Sequence, residues 1–236
     1  MRLGSSADST HNMKQHRFEI ALGTVLLVLF VGFWLWQTPG PIQGKLSPDE
    51  IARYLSTIEE QLLFPAEAKA KVLGRLRAWA EADDGKPFYM LNVMRYYAQL
   101  RPVPGAPAFD GTPEQANAFY ERSVLPLLAK HGGYPLVSGM TQGKNLVDAP
   151  PAPEDWNPVA VVRYPSRRAF LSFLADPAYG PFEPFKMMAV ELMLVPVSGD
   201  VVIPDMRFVV GAAFLIFFLA VGWMRAVRRR QQERPA

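Results

Sequence analysis

Two uninterrupted apolar segments, one near each end of the chain, limit most strongly what this sequence can fold into. Residues 18–36 include a single charge, Glu19, and residues 208–224 include none. A helix of ~20 apolar residues is long enough to cross the hydrocarbon core of a bilayer. We therefore expect two transmembrane helices, the first over 18–36 and the second over 206–224.

Each segment has an alternative explanation that involves no membrane-spanning helix. A cleaved signal peptide has a shorter apolar region, about 7–15 residues, followed by a small-x-small cleavage site. The first segment is longer and continues into residues 37–40 without such a site, which favours an uncleaved anchor. The second segment could be a buried core helix, but a cluster of arginines beginning at Arg225 follows it directly, as in a stop-transfer segment.

Charge is distributed unevenly along the chain, and the distribution predicts an orientation. The tail 1–17 carries a net charge of +2 and the tail 225–236 carries +4, whereas residues 37–207 carry −2. Basic flanks of membrane helices remain on the cytoplasmic side. We expect a protein of the bacterial inner (plasma) membrane, partnered by the lipid bilayer, with both termini cytoplasmic and residues 37–207 periplasmic. The acidic outer segment argues against nucleic acid as a partner, because nucleic acid binding requires a basic surface.

The first part of the outer segment, 37–85, is predicted to be a linker followed by a helical stalk. Ser47, Pro48 and Glu50 are typical of a helix start, since a Ser N-cap with Glu three residues later forms a capping box. Apolar residues then recur at helical spacing, and Pro65 ends the pattern before a second amphipathic helix. We expect the two helices to pack as a hairpin on the following domain. The alternative is that they lie in the bilayer interface.

Residues 86–200 are predicted to form an α+β domain, because runs of β-branched and aromatic residues alternate with helical patterns there. Thr112 and Gln115 form a second capping box, at the start of a long helix that ends near Gly132. The order of elements is β-α-β-β-α-β, which is the ferredoxin-like split motif. The expected strands are 88–94, 134–140, 158–164 and 190–197, the long helix is 112–131, and short helices begin at Ser166 and at Asp176.

Four stretches of this domain resemble the domain of unknown function 1330 family: Phe88–Met94, Val124–Gly133, Val159–Arg167 and Asp176–Tyr179. The resemblance extends over about residues 86–198. It implies an antiparallel sheet with helices on one face, which pairs with a second copy as a homodimer, a dimeric α+β barrel around a shared cavity. The family implies no established reaction. Its members are usually small and soluble, without the stalk and membrane helices expected here.

Absent residue types and motifs restrict the chemistry. The chain has no cysteine and three histidines, of which only His131 lies outside the N-terminal tail. A metal site built from several histidines or cysteines of one copy is therefore excluded. Gly-x-Gly-x-x-Gly, Walker and Gly-x-Ser-x-Gly motifs are missing as well. We expect no metal and no cofactor, and the sequence leaves open whether the protein is an enzyme and which residues would be catalytic.

Polar residues on apolar strands and at helix ends are the candidate ligand-binding residues. Asn92 shares strand parity with apolar residues, so its amide enters an apolar face and bonds either to a ligand or to the protein itself. Arg163 and Glu191 interrupt apolar strands, and either they pair with each other or Arg163 holds a ligand carboxylate. His131 lies in the last turn of a helix, where its partial positive charge interacts favourably with the helix dipole. We therefore favour a helix-capping role over a role as ligand or general base. The candidates are Asn92, Arg95, Tyr96, Tyr120, His131, Arg163 and Glu191.

Three functions are compatible with this pattern. The first is an inner-membrane protein that presents a periplasmic domain for an unknown small molecule, because an apolar face with few polar groups is typical of binding pockets. The second is a cofactor-independent oxygenase or isomerase, which would rely on Asn92, Tyr120, His131 and Arg163. The third is a structural or partner-binding membrane protein, in which the apolar stripe of the stalk packs against another helix.

Overall fold

The computed structural model describes residues 6–144, 146–147, 155–199 and 206–232. The chain divides into two compact units, Met1–Ser198 and Gly199–Ala236. The outermost residues of both predicted tails, and residue 200 at the predicted end of the domain, lie outside the described residues.

Within these ranges the chain is a mixed α+β protein whose strands form one sheet. The helices are α1 (Ser6–Gln37), α2 (Gly40–Gln43), α3 (Pro48–Gln61), α4 (Ala66–Glu81), α5 (Pro113–Lys130), α6 (Arg167–Leu174), α7 (Glu183–Ala189) and α8 (Met206–Gln232). The strands are β1 (Phe88–Tyr96), β2 (Tyr134–Gly139), β3 (Val159–Tyr164) and β4 (Val190–Ser198).

The helices α1 and α8 each contain a stretch that is long and apolar enough to cross a membrane, judged by length and composition. These stretches are Ile20–Gln37 and Val209–Arg228, with 6% and 0% of their residues buried. A large exposed apolar surface is rare on soluble monomers. The stretches lie close to the predicted segments, and both helices extend beyond them.

The helices α3 and α4 form the expected hairpin, and it packs on the α+β domain. Both bonds of the capping box are present: the Glu50 amide donates to Ser47 Oγ (3.3 Å) and the Ser47 amide donates to Glu50 Oε2 (2.9 Å). The apolar stripe of α3 is buried against Leu171 of α6 in a small second core. The stripe consists of Ile51, Leu55 and Ile58.

The four strands pair antiparallel in the order β2-β3-β1-β4, so β1 lies in the middle and contacts both β3 and β4. Along β1, Phe88, Met90, Asn92 and Met94 are buried, whereas the residues between them are half-buried. This alternation follows from the two-residue period of a strand. The predicted order of elements is confirmed, and β1 extends two residues further than expected.

The long helix α5 and the short helices α6 and α7 cover the inner face of the sheet. Their apolar side chains join those of β1 in one aromatic-rich core. Phe88 stacks on Tyr164 at 5.4 Å, and Phe170 meets both rings edge-on. Aromatic pairs of this kind stabilise a core beyond the area that they bury.

The prediction that a helix begins at Asp176 is wrong. The Asp176 side chain accepts a hydrogen bond from the Ala178 amide (3.0 Å), and the Tyr179 amide donates to the Asp176 carbonyl (2.8 Å). Such bonds form a turn that competes with a helix start. The helix α7 therefore begins only at Glu183.

On the outer face of the sheet, which points away from α5, α6 and α7, apolar side chains are partly exposed to solvent. On β4, Met193, Val195 and Val197 are 44%, 38% and 44% exposed, and Leu91 and Val93 of β1 are half-buried beside them. One side of the sheet therefore packs against the helices, whereas the other side is apolar and accessible to solvent.

Candidate functional site

A cavity of about 1080 Å³ opens between the inner face of the sheet and the surrounding helices. Asn92 lies near the middle of the strand wall of this cavity. Ala160 of β3 lies directly opposite Asn92, and on the other side of Asn92 lies Leu194, which is 43% exposed. The wall is mainly apolar and includes Met90, Met94, Val162, Leu192, Trp79 and Phe173.

Asn92 and Lys186 are the central polar pair of this cavity. The Lys186 ammonium donates to Asn92 Oδ1 (3.2 Å) and lies 5.2 Å from the centre of the Tyr120 ring. Asn92 Nδ2 in turn donates to the Met90 carbonyl (3.1 Å). The partners of Asn92 are therefore a backbone carbonyl and a lysine from α7, and the sequence had not indicated the lysine.

Glu183, one turn before Lys186 on α7, is a second charged residue in the wall of the cavity. It is 3% exposed, and Oε2 has no hydrogen-bond partner among the described residues. Burial raises the pKa of the Glu183 carboxyl to about 7, against the opposing effect of the Lys186 charge. Burial likewise lowers the pKa of Lys186 to about 8, opposed by Glu121 and Glu183. Both groups thus titrate close to neutral pH.

Two tyrosines complete the polar part of the wall. Their hydroxyls, on Tyr120 and Tyr179, lie 3.4 Å apart, and both residues are buried. Burial raises the pKa of Tyr120 to about 12 and holds the pKa of Tyr179 well above 10.0. They are therefore neutral phenols that can exchange hydrogen bonds but do not act as bases at neutral pH.

Arg95, Tyr96 and Glu191 have their side chains bound outside the cavity. Arg95 donates to Glu191, its direct neighbour across the β1–β4 pairing, and to Asp155 at 3.2 Å. Glu191 borders the cavity, but its carboxylate is engaged in this ion pair. The hydroxyl of Tyr96 accepts from Asn117 at 3.4 Å.

The predicted pairing of Arg163 with Glu191 is wrong, because β1 separates the two strands that carry them. Arg163 instead donates to the Gln37 carbonyl oxygen (3.0 Å) and to the Gln37 side-chain oxygen. Gln37 also donates from Nε2 to the Gly132 carbonyl (3.3 Å). Arg163 therefore holds the last residue of α1, where a cation interacts favourably with the helix dipole.

His131 occupies the C-cap of α5, as predicted, and does not reach the cavity wall. Its Nε2 lies 3.0 Å from Asp176 Oδ2, and the Lys130 ammonium lies 2.6 Å from the same oxygen. The hydrogen bonds from Lys130 and then His131 hold the pKa of the Asp176 carboxyl well below its usual range.

Of the seven predicted site residues, Asn92, Tyr120 and Glu191 line the cavity, although the Glu191 carboxylate is held by Arg95. Tyr179, which bonds to Tyr120, lines it as well. Sequence reasoning missed Glu183 and Lys186. The available signal was two charges three residues apart in the otherwise apolar stretch 181–189. Among the described residues, no group of three or more His, Cys, Asp or Glu is placed to hold a metal ion.

No family model and no curated protein matches this chain. Solved structures do resemble it. A protein of unknown function from Rhodopseudomonas palustris is 26% identical, with a TM-score of 0.47 over 60% of this chain and 98% of its own. Its methylated form is also 26% identical, with a TM-score of 0.47 over 61% of this chain and 97% of its own. SnoaB, a cofactor-independent oxygenase from Streptomyces nogalater, is 12% identical, with a TM-score of 0.34 over 51% of this chain and 99% of its own.

Proposed function

We propose that this protein is a membrane-anchored binding protein whose α+β domain holds a small apolar molecule. The observation that carries the proposal is the cavity of about 1080 Å³, with its apolar wall and its few polar groups. Binding pockets for small molecules have this composition and measure about 300–1,000 Å³.

The membrane part of the proposal rests on the exposed apolar stretches of α1 and α8 and on the basic residues of both tails. Both tails are cytoplasmic and residues 37–207 are periplasmic in a bacterial inner membrane, since basic flanks stay inside. The bilayer then supplies the apolar surroundings that these stretches require.

The proposed assembly is a homodimer in which two sheets pair through their outer faces as a dimeric α+β barrel. Half-exposed apolar residues on β1 and β4 support it, because burying such a surface stabilises an interface. The resemblance to the domain of unknown function 1330 family, which implies a homodimeric α+β barrel, also supports a homodimer.

The experiment that tests the binding proposal is native mass spectrometry of the full-length protein released from detergent. We expect a dimer that carries an additional small mass. Ala160→Phe, which places a ring beside Asn92, should abolish the additional mass. Ala129→Phe makes the same change at an exposed position of α5 and should leave it unchanged. A wild-type protein that is always empty would contradict the proposal.

A second candidate function is catalysis by proton transfer, in an oxygenase or isomerase that needs neither metal nor nucleotide. Glu183 and Lys186 favour it, because groups that titrate near neutral pH are suited to act as base and acid. His131 and Arg163 drop out of the predicted set, since Asp176 and Gln37 engage them outside the cavity. The third candidate, partner binding through the stalk, loses its motivation because the stripe of α3 is buried within the protein.

A further inference from the structure

We propose that the ligand is an uncharged molecule with an apolar body and a hydroxyl group, and that Glu183 and Lys186 recognise the hydroxyl. This inference rests on the proposed binding function and specifies the chemical class of the ligand. It follows from the kinds of polar atoms that the cavity wall offers and from the atoms that are already engaged.

Buried acceptor atoms in the wall lack donors. Neither Glu183 Oε2 nor Gln61 Oε1 has a hydrogen-bond partner among the described residues, and both side chains line the cavity. The orientation of the Gln61 amide is fixed by its nitrogen, because Nε2 donates to the Ala175 carbonyl (3.1 Å). A buried polar atom without a partner is unfavourable. A ligand that carries a hydrogen-bond donor would remove this cost.

Lys186 does not satisfy Glu183, although the two residues are one turn apart on α7. The described part of the chain shows no ion pair for Glu183, and the Lys186 ammonium is directed to Asn92 and to the Tyr120 ring instead. The cavity therefore presents a carboxyl group and an ammonium group, one turn apart on α7, that are not paired with each other.

This combination discriminates between ligand head groups. A cationic amine could donate to Glu183 but would be repelled by the Lys186 ammonium. An anionic carboxylate could accept from Lys186 but would be repelled by Glu183 when that carboxyl is ionised. A hydroxyl is neutral and can donate to the carboxyl oxygen while its own oxygen accepts from the ammonium. The apolar remainder of the wall, which includes Met90, Val162 and Leu192, would contact the body of the ligand.

Four probes that share one apolar body test the inference: naphthalene, 2-naphthol, 2-naphthoate and 2-naphthylmethylamine. Binding to the full-length protein in detergent is measured by equilibrium dialysis at a pH between the pKa of Glu183, about 7, and that of Lys186, about 8, where both groups are mostly charged. The Ala160→Phe variant in the same detergent gives the background due to micelles. We expect 2-naphthol to bind roughly 10-fold or more tightly than naphthalene, as for one hydrogen bond to a charged group. The two charged probes should bind more weakly than 2-naphthol.

Two variants connect the preference to named residues. Glu183→Leu should remove the advantage of 2-naphthol over naphthalene while naphthalene still binds. Glu59→Leu, at an exposed position of α3, should change nothing. Lys186→Met should increase the affinity for 2-naphthylmethylamine, because the repelling charge is gone.

The outcomes separate the two proposals. Equal binding of naphthalene and 2-naphthol, or tightest binding of a charged probe, would overturn the hydroxyl inference and leave the binding function intact. An advantage of 2-naphthol that persists in Glu183→Leu would overturn the role of Glu183. If no probe binds above the Ala160→Phe background, and the Leu194→Trp variant gives the same background, the proposed binding function itself fails.

Discussion

At the residue scale, burial shifts the pKa values of Glu183 and Lys186, and its effect is larger than the opposing effect of neighbouring charges. Both side chains are less than a tenth exposed, and a charge transferred out of water is costly unless a partner compensates for it. Lys186 has the Asn92 oxygen and the Tyr120 ring, whereas Glu183 Oε2 has no partner among the described residues. Burial therefore favours the neutral form of each group: the pKa of Glu183 is raised and the pKa of Lys186 is lowered.

We expect the stability of the wild type relative to Glu183→Gln to fall as the pH rises from about 4.5 to about 7. The pKa of Glu183 is raised from 4.5 to about 7 by burial. In this window the folded chain keeps a proton that the unfolded chain has lost, so deprotonation favours unfolding. The whole decrease should be on the order of 3 kcal/mol. Thermal unfolding of both full-length proteins in one detergent, measured across this pH range, tests the prediction.

The variant Lys186→Met is a control for which stability should change with pH in the opposite direction. The pKa of Lys186 is lowered from 10.5 to about 8, so the unfolded chain holds the extra proton between these values. The stability of the wild type relative to Lys186→Met should therefore rise with pH between about 8 and about 10.5. A pH-independent difference for Glu183→Gln would show that this carboxyl titrates normally in the folded protein.

At the scale of single elements, helix termini show how short sequence patterns become structure. The helix α5 begins with a capping box in which the Gln115 amide donates to Thr112 Oγ1 (3.3 Å). It ends in a Schellman motif, because the Gly133 amide donates to the Leu128 carbonyl and the Gly132 amide to the Ala129 carbonyl, each at 2.9 Å. Gly132 has a φ of +77°, a conformation that side chains other than glycine rarely adopt.

We expect Gly132→Ala to destabilise the protein by ~1–2 kcal/mol, the usual cost of a left-handed residue with a Cβ atom. The added Cβ would also lie 2.9 Å from the Pro165 ring. Gly139→Ala is the matched control, since its Cβ would meet no atom within 4 Å and its φ is not positive. Chemical unfolding in detergent measures both changes, and equal stability of the two variants would contradict this account of the helix end.

At the scale of the whole molecule, the sheet, the stalk and the end of α1 are joined by polar contacts. Arg163 and the Gly132 carbonyl both bind Gln37, and Arg168 of α6 donates to Glu50 of α3 at 3.1 Å. The Arg168 hydrogen bond is the main reason why the pKa of Glu50 falls to about 2. The helix α1 is therefore connected directly to the strand β3, so the position of its last residue is linked to that of the sheet.

The proposed orientation gives a prediction at this scale. A reporter that is active only in the periplasm should be active when fused after Gly85 or Thr141, and inactive when fused after Ala236. This expectation follows from the proposal that basic residues retain both tails in the cytoplasm. A fusion to a reporter that works only in the cytoplasm, at the same positions, is the control and should show the reverse pattern. Activity of the periplasmic reporter at Ala236 would contradict the orientation.

Much of the fold could be predicted from local patterns. The two capping boxes, the order of strands and helices, and the inward direction of Asn92 are confirmed. Each depends on residues within a few positions of one another, or on the period of a single helix or strand. The helix expected at Asp176 is absent because the Ala178 and Tyr179 amides bond to Asp176 in a turn, so the same local residues support two conformations.

The sequence by itself determined the two apolar stretches, most of the secondary structure and the α+β class, because periodicity and capping are local properties. Only the tertiary structure decided which polar residues form the site. Lys186 meets Asn92 across 94 positions of the chain, and Arg163 meets Gln37 across 126, rather than the expected Glu191. Strand order and burial set these partnerships, and the pKa shifts of Glu183 and Lys186 follow from burial. These contacts and pKa shifts arise only when distant segments pack together, so they cannot be predicted from a local sequence pattern.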